Sequence, residues 1–124
     1  MKILVAEDEP FMSAAISGRL RSEGYDVMVA NDGREALRAI EADRPDLIIT
    51  DIMMPFTSGL ELIGIVKSNP NMQIPVIVLS GMGEEATVME AFQLGADDFL
   101  TKPFNPAELS MRVKRALNKI PKKY

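Results

Sequence analysis

The 124-residue chain has no cysteine, no histidine and no tryptophan. Without Cys or His it has no disulfide framework, no zinc or haem site of ordinary ligation, no cysteine nucleophile and no Ser-His-Asp triad. Any metal must therefore be a hard ion held by oxygen. No apolar run approaches the roughly 18 residues of a membrane span. The first residues, Met1-Lys2 and four apolar positions, are too few for a signal-peptide core. A cytoplasmic protein with no membrane partner is expected.

What is present is ordinary globular material: 47% hydrophobic and 26% charged residues over one domain's length, enough to bury a single core. The net charge of −4 conceals an asymmetry. Residues 109–124 hold six bases (Arg112, Lys114, Arg115, Lys119, Lys122, Lys123) and no acid, which leaves a net of −10 on the remainder. So acidic a body repels polyanions, and direct nucleic-acid binding by this chain is not expected. The basic end suits a helix C-terminus, where cations complement the dipole.

Short apolar runs rich in β-branched residues recur at Ile3–Ala6, Val27–Val29, Leu47–Ile49, Ile74–Leu79 and Phe99–Leu100. Between them lie stretches of helical spacing, such as Phe11, Ile16 and Leu20, or Leu109, Val113 and Leu117. Turn and cap residues (Gly24, Asp32-Gly33, Pro45-Asp46, Asn69-Pro70, Gly95-Ala96-Asp97) separate the runs. The pattern is strand then helix, five times. Runs such as Val76-Ile77-Val78-Leu79 do not alternate with polar residues, as befits strands covered on both faces. The expected fold is α/β, a doubly wound five-stranded parallel sheet of the flavodoxin-like class, with the order 2-1-3-4-5 adopted provisionally.

Polar residues follow the strands: Glu7-Asp8 after the first, Asp51 after the third, Ser80 after the fourth, Lys102 after the fifth. Open parallel sheets bind ligands at these carboxyl ends, at the switch between strands 1 and 3. That places Asp8 near Asp51, and clustered carboxylates repel unless a cation sits among them. With no His or Cys, Mg²⁺ is the fitting ion, and such a site suits a phosphate. Taken singly, Asp8 reads as readily as the N-cap of helix 1 and Asp51 as a turn residue, while Ser80 reads more readily as a loop hydroxyl and Lys102 as a surface lysine. Their convergence on one sheet edge favours the functional reading.

The chain resembles, end to end, the receiver domains of two-component response regulators. The resemblance rests on Ile3–Glu9, on Pro45–Pro55 with Gly59 eight residues after Asp51, on Val78-Leu79-Ser80-Gly81, and on Gly95–Phe104. It implies a receiver domain over residues 1–120 and a tail or truncated linker over 121–124. It implies that Asp51 accepts a phosphoryl group, that Glu7, Asp8, Asp51 and the Met53 carbonyl hold Mg²⁺, and that Ser80 and Lys102 bind phosphoryl oxygens. It further implies a cis peptide at Lys102-Pro103 and a switch in which Phe99 turns inward behind Ser80. The donor would be a phosphohistidine, which this chain cannot supply, so the partner would be a histidine kinase or histidine phosphotransfer protein. Apart from its own phosphorylation and dephosphorylation, no enzymatic activity is implied.

Departures from the commonest pattern are Glu7 for Asp and Ser80 for Thr. Met53 and Met82 flank the site, and neither can orient an attacking water strongly, which points to a long-lived phosphoryl group. The stretch Leu94–Leu117 most resembles receivers of winged-helix transcription factors. Asp98, Glu108, Arg112 and Lys114 are therefore candidates for a charged homodimer interface, although Glu90 stands where that subfamily usually has a base. Three rival readings stand beside this one. A dinucleotide site at Gly81–Ala86 matches G-x-G-x-x-A but follows the wrong strand. A haloacid dehalogenase-like phosphohydrolase would need an acid where Met53 stands. The third is a receiver-like interaction module that is never phosphorylated.

Overall fold

The computed structural model describes residues 1–54 and 56–118. Five strands alternate with five helices: β1 Lys2–Ala6, α1 Pro10–Ser22, β2 Asp26–Ala30, α2 Gly33–Ala42, β3 Leu47–Asp51, α3 Gly59–Ser68, β4 Val76–Ser80, α4 Glu85–Gln93, β5 Asp98–Thr101 and α5 Pro106–Asn118. All strands are parallel, in the order β2-β1-β3-β4-β5 expected from the sequence. The expected boundary near residue 120 and the segment 121–124 lie outside the described residues.

Strand alternation sorts the core into two layers. Ile3, Val5, Leu47, Ile49, Ile77 and Leu79 pack with α1 and α5 residues such as Ile16, Leu20, Leu109 and Val113. Leu4, Ile48, Val76 and Val78 pack on the opposite face with Ile40 of α2, Leu62 and Ile63 of α3 and Val88 of α4. The three central strands are thus covered on both faces, which is why their sequences read as continuous apolar runs. Strand β4 begins two residues later than its apolar run suggests. Ile74 is buried but donates its N–H to the Met72 carbonyl in a turn, and Pro75 has no N–H to give.

Local chemistry starts the helices where they start. Asp32 accepts from the Glu35 N–H at 2.9 Å at the head of α2, and Ser58 and Glu61 form a reciprocal capping box on α3. At α1 the cap is Glu9, whose carboxylate accepts from the Phe11 and Met12 N–H groups. Asp8 is therefore not the helix cap and stays available at the sheet edge. Gly33 lets the backbone of Thr57 approach closely, since a Cβ there would lie 2.0 Å from the Thr57 carbonyl oxygen. The loop between β3 and α3 is thus pressed onto the start of α2.

Candidate functional site

Strands β1 and β3 are hydrogen-bonded neighbours, so the residues that end them meet at one edge. Glu7, Asp8 and Asp51 each present a carboxylate oxygen within 4.8 Å of the others. Into this group reaches Lys102 from the end of β5, its Nζ 2.8 Å from Glu7 Oε1 and 2.8 Å from Asp51 Oδ2. The Lys102–Pro103 peptide is cis. Glu7 is fully buried, Asp51 nearly so, and Asp8 is exposed.

Burial lifts the Glu7 carboxyl to about 7; the adjoining Asp51 adds to the rise and the Lys102 ammonium opposes it. Burial would lower the Lys102 ammonium, but hydrogen bonds to Asp51 and Glu7 outweigh it and hold the group above its ordinary value. Lys102 satisfies only one oxygen of Glu7. The other, Oε2, is buried with no hydrogen-bond partner. An orphaned buried carboxylate oxygen beside two further carboxylates, with only oxygen donors at hand, fits a hard divalent cation such as Mg²⁺.

Ser80 ends β4 next to β3 and is buried. It shares a cavity of about 260 Å³ with Phe99, Phe92 and Met89. Phe99 packs edge-on against Phe92, ring centroids 5.8 Å apart. Ser80 and Phe99 thus open onto one space beneath α4. Met53 and Met82 stand on the loops flanking the edge, 64% and 90% exposed.

The charged residues near α5 are tied to one another within the chain. Arg112 donates to Asp98 at 2.7 Å and to Glu108 at 3.5 Å, while Lys114 is exposed. The G-x-G-x-x-A stretch is not placed as a dinucleotide-binding turn. It follows β4 rather than β1, and the Gly81 N–H is already held by the Glu84 carboxylate at 2.6 Å.

Sequence reasoning missed Glu84, and it missed a contact over the β3–α3 loop. Arg34 of α2 lies 3.6 Å above the ring of Phe56, which has a φ of 68° in the left-handed region that favours glycine. A bulky aromatic among turn residues was the available signal.

Residues 3–114 match the family described as the response regulator receiver domain. The chain is 39% identical over 118 residues to the alkaline phosphatase synthesis transcriptional regulatory protein PhoP of Bacillus subtilis, covering 95% of this chain and 49% of that protein. It is 34% identical over 118 residues to the DNA-binding response regulator MtrA of Mycolicibacterium smegmatis, covering 95% and 51%. The chain thus spans about half the length of the curated relatives it matches. Among solved structures, a putative response regulator from Chloroflexus aurantiacus superposes with a TM-score of 0.90 at 34% identity, covering 95% of this chain and 98% of that one. The signal receiver domain of a histidine kinase from Syntrophus aciditrophicus gives 0.90 at 36%, covering 99% and 94%.

Proposed function

The chain belongs to the response regulator receiver family of two-component systems, and from that premise we propose that it accepts a phosphoryl group on Asp51 from a phosphohistidine. The observation that carries this reading is the Lys102 ammonium, 2.8 Å from Asp51 and anchored by the buried Glu7.

A carboxylate approaching a phosphoryl group meets negative oxygens, so a cation fixed beside it lowers the barrier. An Asp51 oxygen attacks phosphorus as the phosphorus–nitrogen bond breaks. The electron pair leaves with the imidazole nitrogen, which takes a proton. Lys102 faces the oxygens on which charge develops. Mg²⁺, held by Glu7, Asp8, Asp51 and the Met53 carbonyl, would supply further neutralisation of those oxygens.

The acyl phosphate carries about −1.5 to −2 charge and strong acceptors. It draws the Ser80 hydroxyl and Lys102 toward itself. Ser80 moves the loop entering α4, and Phe99 turns into the space behind it. The state of Asp51 thereby biases the α4, β5 and α5 surface that a partner or output domain reads. Pairing of two copies through Asp98, Glu108, Arg112 and Lys114 requires the internal Arg112 pairs to exchange partners. The donor is a histidine kinase or histidine phosphotransfer protein, and the site of action is the cytoplasm.

Incubation with acetyl phosphate and Mg²⁺ should add the mass of one phosphoryl group, and Asp51→Asn should remove that gain. No gain in the wild type would leave the unphosphorylated interaction module as the correct reading.

A further inference from the structure

The loop leaving β4 holds a carboxylate that the phosphoryl chemistry does not use. Glu84 occupies the N-cap position of α4, yet its side chain makes no hydrogen bond to that helix. It turns back instead, and Oε1 accepts the Gly81 N–H at 2.6 Å. Its other oxygen, Oε2, is buried with no hydrogen-bond partner. Gly81 has no side chain to obstruct this, for a Cβ there would lie 2.8 Å from Glu84 Oε1.

The direction of the Gly81 N–H follows from the sheet. In a parallel strand the N–H and C=O of one residue point to the same neighbour, and successive residues alternate between neighbours. The Leu79 carbonyl is received by Ile52 after β3, and the Ser80 carbonyl by Lys102 after β5. The next N–H, that of Gly81, falls on the β3 side, where Asp51 ends its strand. It is the backbone donor that β4 offers toward a group carried by Asp51.

We propose that Glu84 is an internal competitor for the phosphoryl group: its carboxylate holds the Gly81 N–H in the unphosphorylated chain, and an Asp51-bound phosphoryl oxygen takes that N–H and releases Glu84. This rests on Asp51 as phosphoacceptor. A phosphoryl oxygen is the stronger acceptor and carries more charge than a carboxylate, and the two anions repel across the shared donor. Glu84 therefore opposes phosphorylation. Once released, it sits at the α4 N-terminus, where negative charge is favourable, so phosphorylation resets the first turn of α4 as well as Ser80. Glu84 acts as a positioning residue and contacts no reacting atom.

The test uses beryllofluoride, which mimics a phosphoryl group on a carboxylate, titrated with Mg²⁺ into the full chain and followed by amide NMR spectra. Glu84→Ala should bind the analogue roughly tenfold more tightly, the worth of one charge-assisted hydrogen bond, with affinity for Mg²⁺ alone unchanged. Glu84→Gln, which keeps an acceptor and loses the charge, should gain less. The Gly81 amide proton should move upfield in Glu84→Ala without the analogue. General damage to the loop would weaken binding, so the sign of the change is diagnostic. Unchanged or weaker binding in both variants, with wild-type phosphoryl uptake intact, overturns the Glu84 role and leaves the function standing. A wild type that takes neither analogue nor phosphoryl group overturns both.

Discussion

The start of α3 presses against the backbone of Asp51: a Cβ on Gly59 would lie 2.2 Å from the Asp51 carbonyl oxygen. The Gly59 N–H also donates to the Ile52 carbonyl at 2.9 Å. Only glycine permits this approach, and neither side can yield without moving main chain. Gly59→Ala should lower unfolding free energy by about 2 kcal/mol or more, measured by urea denaturation. It should also slow phosphoryl uptake from acetyl phosphate, because the displaced atoms carry Asp51.

Replacing Lys102 should separate metal binding from phosphoryl transfer. In Lys102→Met the ammonium no longer competes for Glu7 and Asp51, so affinity for Mg²⁺, read by calorimetry, should hold or rise. Phosphoryl uptake should fall by roughly a hundredfold or more, as for loss of a preorganised charge at a transition state. Removing Mg²⁺ with a chelator should abolish uptake in the wild type. A parallel loss of metal affinity and uptake in Lys102→Met would contradict this division of roles.

Glu7 makes stability of the metal-free protein depend on pH. Its folded-state carboxyl is raised from 4.5 to about 7, so the folded chain retains a proton that the unfolded chain has released. The associated stability is present in full below pH 4.5 and is lost as pH rises through about 7. Lys102 is also raised, but its window lies above 10.5. Chelator-treated protein should lose on the order of 2 kcal/mol between pH 5 and 8, and Glu7→Gln should flatten that slope. A flat profile in the wild type would show that Glu7 stays ionised throughout.

The side chains at Met53 and Met82 are exposed beside the site and offer no strong hydrogen bond to a water. Met53→Asn or Met53→Glu should shorten the lifetime of the aspartyl phosphate several-fold, as general-base or water-orienting groups do. Decay of the phosphorylated mass after removal of acetyl phosphate measures it. An unchanged half-life would place the control of hydrolysis elsewhere.

Much of this architecture was legible along the chain. The runs ending at Ala6, Ile49 and Leu79 are apolar without alternation because each strand is covered on both faces, which is the mark of a parallel sheet. Less legible was the beginning of β4, where Ile74 is as buried as any strand residue but is spent in a turn before Pro75. The cap of α1 was ambiguous because Asp8 and Glu9 are adjacent acids; backbone geometry awards the cap to Glu9.

Side-chain partners across the fold were not readable in the same way. Arg112 was a candidate for contact with another copy, yet it finds Asp98 and Glu108 in its own chain. Phe56 and Arg34 are distant in sequence, and the packing of Thr57 against Gly33 brings them together. Glu84 is one of many surface-type acids until the turn after β4 aims it at Gly81.

The sequence by itself determined the alternation of strands and helices, and with it which residues stand at the carboxyl ends of the strands, because hydrophobic period and turn chemistry are local properties. Only the tertiary structure decided that Lys102 bridges Glu7 and Asp51, that Glu7 is buried deeply enough to raise its carboxyl above the usual range, and that Glu84 faces inward. Those outcomes depend on which charges share a water-poor space, and that is set by chain segments up to 95 residues apart.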